Sequence, residues 1–194
     1  MPVPLAGFAE RLGLALASRE PAEVVWAEAR RAAVAALITA GSDPEILFIK
    51  RRERVGDPWS GQMALPGGFA SPADASLEAT ARRETEEETG IALESGALLG
   101  RLDDVSPRTP YLPPLVVRPF AYGVVEPLAA RAGPEVEAAV WLKVRDLFDG
   151  RFRRPFVLNL PGGRREFESI VIGGYTIWGL TERVLQQLRE AAGI

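Results

Sequence analysis

An irregular, glycine- and proline-rich stretch at residues 53 to 72 runs directly into a segment that reads as a helix and stops at Gly90. A structureless loop of that length inside a compact domain is usually functional. Ser71-Pro72-Ala73-Asp74 offers an N-cap, a proline at the first helical position and a capping-box acid, and Gly90 offers the C-terminal stop, so the pattern predicts a helix over roughly 72 to 89. Its last turns carry Glu84, Glu86, Glu87 and Glu88. At about 100° per residue, Glu84, Glu87 and Glu88 fall in one narrow arc while Glu86 points to the far side. Like charges three or four residues apart cost a few tenths of a kcal/mol per pair, and acids at a helix C-terminus oppose its dipole. A divalent cation bound to that arc would offset both penalties.

The remaining pattern surrounds this unit with strands. Leu5, Phe8, Leu12 and Leu16 mark an amphipathic helix over 5–17, and Leu180, Val184, Leu185 and Leu188 mark another over 178–191. Residues 31–38 and 46–50 read as a hairpin around Gly41-Ser42-Asp43-Pro44. Strands are expected at 97–105, 115–125 and 138–142, a short helix near 144–149, and a second hairpin, 156–160 with 165–172, around Pro161-Gly162-Gly163. Such irregular alternation points to an α/β (α+β) layered domain. With 194 residues, 47% of them hydrophobic, the chain is expected to form one domain over 1–194, the two terminal helices packed on it.

Two residue types are missing. Without cysteine there is no disulfide or thiolate nucleophile, and without histidine there is no serine–histidine–aspartate triad or imidazole-bound metal. Chemistry is left to carboxylates, arginine, lysine, hydroxyls, the backbone or a metal held by oxygen, which favours magnesium, manganese or calcium. The formal charge of −3 gives no global attraction for nucleic acid. The longest run without a charge or a strong breaker, 32–40, is far shorter than the roughly 20 apolar residues of a membrane helix. No basic region followed by an apolar stretch opens the chain, so a soluble, cytoplasmic protein is expected.

Gly68, then Asp74, then Arg83-Glu84-Thr85-Glu86-Glu87-Glu88-Thr89-Gly90-Ile91 resembles the Nudix box, GX5EX7REUXEEXGU. Arg83, Glu84, Glu87, Glu88, Gly90 and Ile91 stand at the family's mutual spacing. Asp74 replaces a glutamate with one extra residue before Arg83, and Thr85 takes an aliphatic position. The segment 46–74, with Lys50-Arg51-Arg52 and Gly61-Gln62-Met63-Ala64-Leu65-Pro66-Gly67-Gly68, looks like the branch that hydrolyses coenzyme A and its esters, as does Tyr175 to Thr181 at the opening of the last helix. Leu65 stands where that branch has phenylalanine, and residues 53–60 replace its serine- and arginine-bearing segment.

The resemblance implies a Nudix fold, a mixed sheet between helices, and metal-dependent hydrolysis of pyrophosphate linkages in small nucleotides. Glu84, Glu87 and Glu88 would hold Mg²⁺ or Mn²⁺, with Arg83 orienting the glutamates. The general base is Glu84 or an acid from another loop, with Glu135 and Glu137 leading and Glu126 third. Arg51, Arg52, Gln62, Gly67 and Gly68 are the candidate substrate contacts. Lys50 and Arg54 complete a basic run suited to phosphate, and Trp59, Phe69 or Tyr111 could stack on a base. Coenzyme A or an acyl derivative is the first substrate expected; ADP-ribose, NADH or another dinucleotide is the alternative, and a nucleotide-binding module without turnover is the alternative of another class. Family members often form homodimers; neither nucleic acid nor membrane is an expected partner.

Overall fold

The structure is a computed structural model that describes residues 7–56, 60–93, 97–107, 112–160 and 163–194. In chain order the elements are α1 (Phe8–Ala17), β1 (Arg30–Thr39), β2 (Glu45–Arg51), β3 (Met63–Ala64), β4 (Gly67–Phe69), α2 (Leu77–Thr89), β5 (Ala97–Arg101), β6 (Leu115–Val124), β7 (Val136–Lys143), α3 (Val144–Leu147), β8 (Arg153–Leu160), β9 (Gly163–Ile172), β10 (Tyr175–Trp178) and α4 (Gly179–Ala191). Seven strands make one mixed sheet with the path β3-β2-β1-β6-β5, to which β4 adds on β1 and β7 on β2. β8, β9 and β10 form a separate antiparallel sheet.

β1 organises the large sheet. It runs parallel to β6 from Arg30 opposite Leu115 to Thr39 opposite Val124, and it meets β2 antiparallel at Ile38 opposite Ile46. Beyond that point the two strands part, β1 accepting β4 and β2 accepting β3 and β7. Because side chains alternate across a strand, β1 feeds both faces of the sheet. Ala32, Ala36 and Ile38 join Phe8, Leu12 and Leu16 of α1 and Val184, Leu185 and Leu188 of α4. Ala33, Ala35 and Leu37 pack with Leu47, Phe120, Tyr122 and Ala81 of α2. The mixed sheet therefore lies between α2 on one side and α1 with α4 on the other, as the Nudix-like reading expected. Burying each large side chain of these stripes contributes about 1.5–3 kcal/mol, which is why two short terminal helices hold to the sheet.

Several boundaries differ from the sequence reading. α2 begins five residues later than expected, with Ser76 rather than Ser71 as N-cap, its Oγ accepting from Ala79 N at 3.1 Å. Residues 71–74 form a turn in which Asp74 accepts from Ser71 N and turns its carboxylate toward α2, a side-chain task that competes with helix initiation. Gly90 does end the helix in the left-handed conformation. The stretch 53–72 contains the two short strands β3 and β4, and Tyr175–Trp178 is strand β10 rather than the start of a helix. Thr85 is buried without loss, because its hydroxyl donates to Ala81 O at 2.7 Å within the helix. Leu5 lies outside the described residues. Among the described residues no helix is long and apolar enough to cross a membrane.

Candidate active site

Arg83 is the hub of the acidic face. Its Nε and Nη2 donate to the two oxygens of Asp74 at 2.9 and 3.0 Å, and Nη2 also reaches Phe69 O at 3.3 Å. Nη1 donates to Glu84 Oε1 at 2.7 Å and to both oxygens of Glu87 at 3.3 and 3.2 Å. A fork of donors with a permanent charge suits this task, so the charge that offsets the glutamates is in part supplied by the chain itself. The Arg83 hydrogen bonds, followed by that from Ser71 N–H, hold the Asp74 carboxyl well below the usual carboxylate range. Thr80 Oγ1 donates to it at 2.8 Å. Asp74 in turn raises Arg83 further.

The three glutamates differ in setting. Glu88 is 6% exposed; Gly67 N donates to its Oε2 at 2.8 Å and Arg51 Nη1 stands 3.9 Å from its Oε1. Burial pushes its carboxyl up to about 7, opposed by the Gly67 N–H and the Arg51 charge. Glu84 is half-buried, and its burial also raises it, against the pull of Arg83. The Glu87 side chain is 59% exposed where it rests on Arg83, and Glu86 is exposed.

The two glycines ahead of the helix have separate steric reasons. A Cβ on Gly67 would strike Ala33 O of β1 and lie 2.6 Å from Val34 Cα; a Cβ on Gly68 would lie 2.8 Å from Glu84 Oε1 and closer still to the rest of that carboxyl. Gly67 thus seats β4 on β1, and Gly68 lets Glu84 lie against the backbone.

Among the described residues no three carboxylates stand close enough to form a ready-made cation cage. The donor set nevertheless fits a hard divalent ion: every candidate ligand is a carboxylate oxygen, and Glu88 is a buried acid whose charged form burial disfavours. Glu87 would have to exchange Arg83 for the ion.

The loop before β7 is fastened to the end of this helix. Arg131 N donates to Thr89 O at 2.7 Å and Gly133 N to Glu88 O at 2.9 Å, filling carbonyls that the helix end leaves open. Gly133 lies so close to the Glu87 carbonyl that a Cβ would overlap it. Two residues on, Glu135 pairs with Arg54 Nη1 at 2.9 Å, and its charge is felt at Glu88. Glu137 instead pairs with Lys50 Nζ at 2.8 Å, and Glu126 is exposed just beyond β6.

The basic run is divided rather than clustered. Arg51 turns to Glu88, Lys50 to Glu137 and Arg54 to Glu135, while Arg52 donates Nε to Val136 O at 3.1 Å. Of the candidate substrate contacts, the structure brings Arg51, Gly67 and Gly68 to the glutamate face and lays Arg52 along β7. Gln62 gives its carbonyl to Arg51 N at 3.0 Å and lines a cleft of about 350 Å³ with Lys50, Phe156, Tyr175, Thr176 and Trp178. Phe69 packs against the core with the Arg30 guanidinium 3.4 Å from its ring centroid, so a base does not have that face free. Trp59 and Tyr111 lie outside the described residues. The Asp74 clamp on Arg83 was not among the expected site residues, and of the cleft only Gln62 and Lys50 were; the box position of Asp74 was the signal for the first, while nothing local in sequence marks the aromatic wall of the second.

A NUDIX domain family model matches residues 29–160. The chain is 30% identical over 173 residues to the uncharacterized Nudix hydrolase NudL of Yersinia enterocolitica, covering 87% of this chain and 84% of that one. It is 39% identical over 111 residues to the uncharacterized protein C14C4.10c of Schizosaccharomyces pombe, covering 55% of this chain and 34% of that protein, so it spans about a third of that relative's length. Among solved structures, a MutT/nudix family protein from Enterococcus faecalis shares the fold with a TM-score of 0.55 at 18% identity, covering 96% of this chain and 78% of that one.

Proposed function

This chain belongs to the Nudix family, and from that premise we propose that it is a divalent-metal-dependent pyrophosphohydrolase that cuts the phosphoanhydride of a nucleoside diphosphate linked to a second group. The observation that carries this reading is one helix face on which Glu84 and Glu87 share the Asp74-anchored guanidinium of Arg83 while Glu88 is fixed by Gly67 N–H. Nudix hydrolases use divalent metal ions such as Mg²⁺, and Glu84, Glu87 and Glu88 would hold Mg²⁺ or Mn²⁺ here, supplying charge neutralisation at the phosphoryl oxygens.

The chain's own residues do the rest. Arg83 keeps Glu84 and Glu87 on one side of the helix. Gly68 allows the backbone to approach Glu84, and Arg51 places positive charge beside Glu88 for a phosphate oxygen. Glu135, whose loop is tied to the helix end, takes the proton of the attacking water.

Coenzyme A or an acyl derivative is the substrate we put first, cleaved to 3′,5′-ADP and phosphopantetheine products. The likeness of residues 46–74 to the coenzyme A branch, and the basic residues at the end of β2, support it. A nucleotide panel assayed with and without Mg²⁺ tests both levels. Faster cleavage of ADP-ribose than of coenzyme A would replace the substrate, and no cleavage at all, together with unchanged nucleotide binding by Glu87→Gln, would replace the enzyme with a binding module.

A further inference from the structure

The cleft lined by Gln62 has two dissimilar walls. One is the edge of the large sheet, Lys50 of β2 with residues 60–63 leading into β3. The other is the three-stranded sheet, whose alternation sorts its side chains cleanly. Ile170, Ile172 and Ile177 face the main core, whereas Phe156, Phe167, Thr176 and Trp178 share the opposite face. On that face the Phe156 and Trp178 rings are 4.5 Å apart and Phe167 and Trp178 are 5.6 Å apart, and of these half-buried rings Phe156 and Trp178 line the cleft.

Lys50 joins this cleft to the glutamates. Successive residues of β2 leave the strand on opposite sides, and the pairing with β7 is irregular between Lys50 and Arg51. Arg51 therefore reaches Glu88 while its immediate neighbour reaches the cleft. The ammonium of Lys50 has three N–H donors and Glu137 takes one at 2.8 Å. A cation at the mouth, hydroxyl and amide groups from Ser60, Gln62 and Thr176, and aromatic rings behind them match a planar heterocycle that carries a phosphate.

We propose that this cleft is the subsite for the nucleoside end of the substrate, with Lys50 binding a phosphate on that end and the Phe156 and Trp178 rings backing the base. The proposal rests on the reading that the glutamate face holds the phosphoanhydride, since Lys50 and Arg51 would then engage two parts of one molecule. It makes Lys50 and the aromatic face determinants of which nucleotide is accepted.

The test is nucleotide binding by the whole chain in EDTA, followed by tryptophan fluorescence with adenosine 3′-monophosphate, adenosine and inorganic phosphate as probes. Adenosine 3′-monophosphate is expected to quench emission saturably and more tightly than adenosine or phosphate. Trp178→Phe keeps an aromatic ring in place and is expected to remove most of the quench. Lys50→Met, a change at a partly exposed strand end, is expected to weaken the monophosphate on the order of tenfold through loss of a charged hydrogen bond, and to leave adenosine as weak as before. An undiminished quench in Trp178→Phe, equal monophosphate affinity in Lys50→Met, or no binding by the wild type would each overturn the proposal. Glu84→Gln separates it from the hydrolase reading: monophosphate binding retained with turnover lost keeps both, whereas turnover retained in Glu84→Gln with the cleft results as expected removes only the catalytic assignment.

Discussion

Arg83 and Asp74, nine residues apart and separated by a turn and two helical turns, are joined through two guanidinium nitrogens at 2.9 and 3.0 Å. The pair holds the guanidinium in the orientation from which Nη1 meets Glu84 and Glu87. Losing the anchor should therefore reach the chemistry without removing a group that touches it. Asp74→Asn is expected to lower turnover about 10- to 100-fold, the usual effect of removing a partner behind a metal ligand. Because the Asp74 carboxyl is lowered in the folded state, the stability it supplies is complete above its unfolded value of about 3.9 and is lost only as pH falls through the folded value. The urea midpoints of wild type and Asp74→Asn should stay a constant distance apart from pH 7 to about 5 and converge only in stronger acid.

Gly67 and Gly68 should respond differently to the same methyl group. At Gly67 the obstacle is the backbone of β1, which cannot yield, so Gly67→Ala is expected to cost about 2 kcal/mol or more in urea unfolding. At Gly68 the obstacle is the movable end of Glu84, so Gly68→Ala should keep stability within about 1 kcal/mol while displacing that carboxylate. A loss of turnover of at least about tenfold should accompany it.

Glu88 carries the opposite sign from Asp74. Its carboxyl is raised to about 7, so its ionisation is a burden on the metal-free fold that is absent below the unfolded value and complete above the folded one. Without metal at pH 8, Glu88→Gln should unfold at the same or a higher urea concentration than wild type, and the two should draw together near pH 5. Saturating Mg²⁺ should reverse the order by stabilising the wild type about 2.7 kcal/mol at a hundred times its Kd, with a much smaller gain in Glu88→Gln.

Glu135 can be separated from the other acids by rate. Glu135→Gln is expected to reduce kcat by about 100-fold or more, with little change in stability because its ion pair with Arg54 is exposed on both sides. Glu126→Gln is the control and should behave as wild type. A kcat for Glu135→Gln within threefold of wild type would return the base to Glu84.

Residues whose relation is set by helix geometry were legible in the sequence. Arg83, Glu84, Glu87 and Glu88 occupy one face because offsets of one, three and four residues translate directly into angles on a helix. The start of that helix was not, since Ser71 and Ser76 both offer a capping hydroxyl and Pro72 weighs toward the first; the choice depends on Asp74 turning to an arginine far along the chain. β4 escaped notice because Gly67 and Gly68 carry no alternation, and their strand is defined by what β1 leaves room for. β10 is four residues of good strand pattern running without a break into α4. The cleft was illegible for a further reason: Lys50, Gln62, Phe156 and Trp178 come together only once the small sheet sets against the edge of the large one.

The backbone ties from Arg131 and Gly133 to the last carbonyls of α2 fix the Glu135 loop by groups that every residue except proline possesses. The relative position of Glu135 and the glutamates is thus insured against most changes of side chain in that loop, apart from the spot where Gly133 must remain small. The three-stranded sheet has no such ties to α2 among the contacts described. Descendants of this chain could exchange one nucleotide for another by rewriting β8 to β10 and leave the cutting machinery in register.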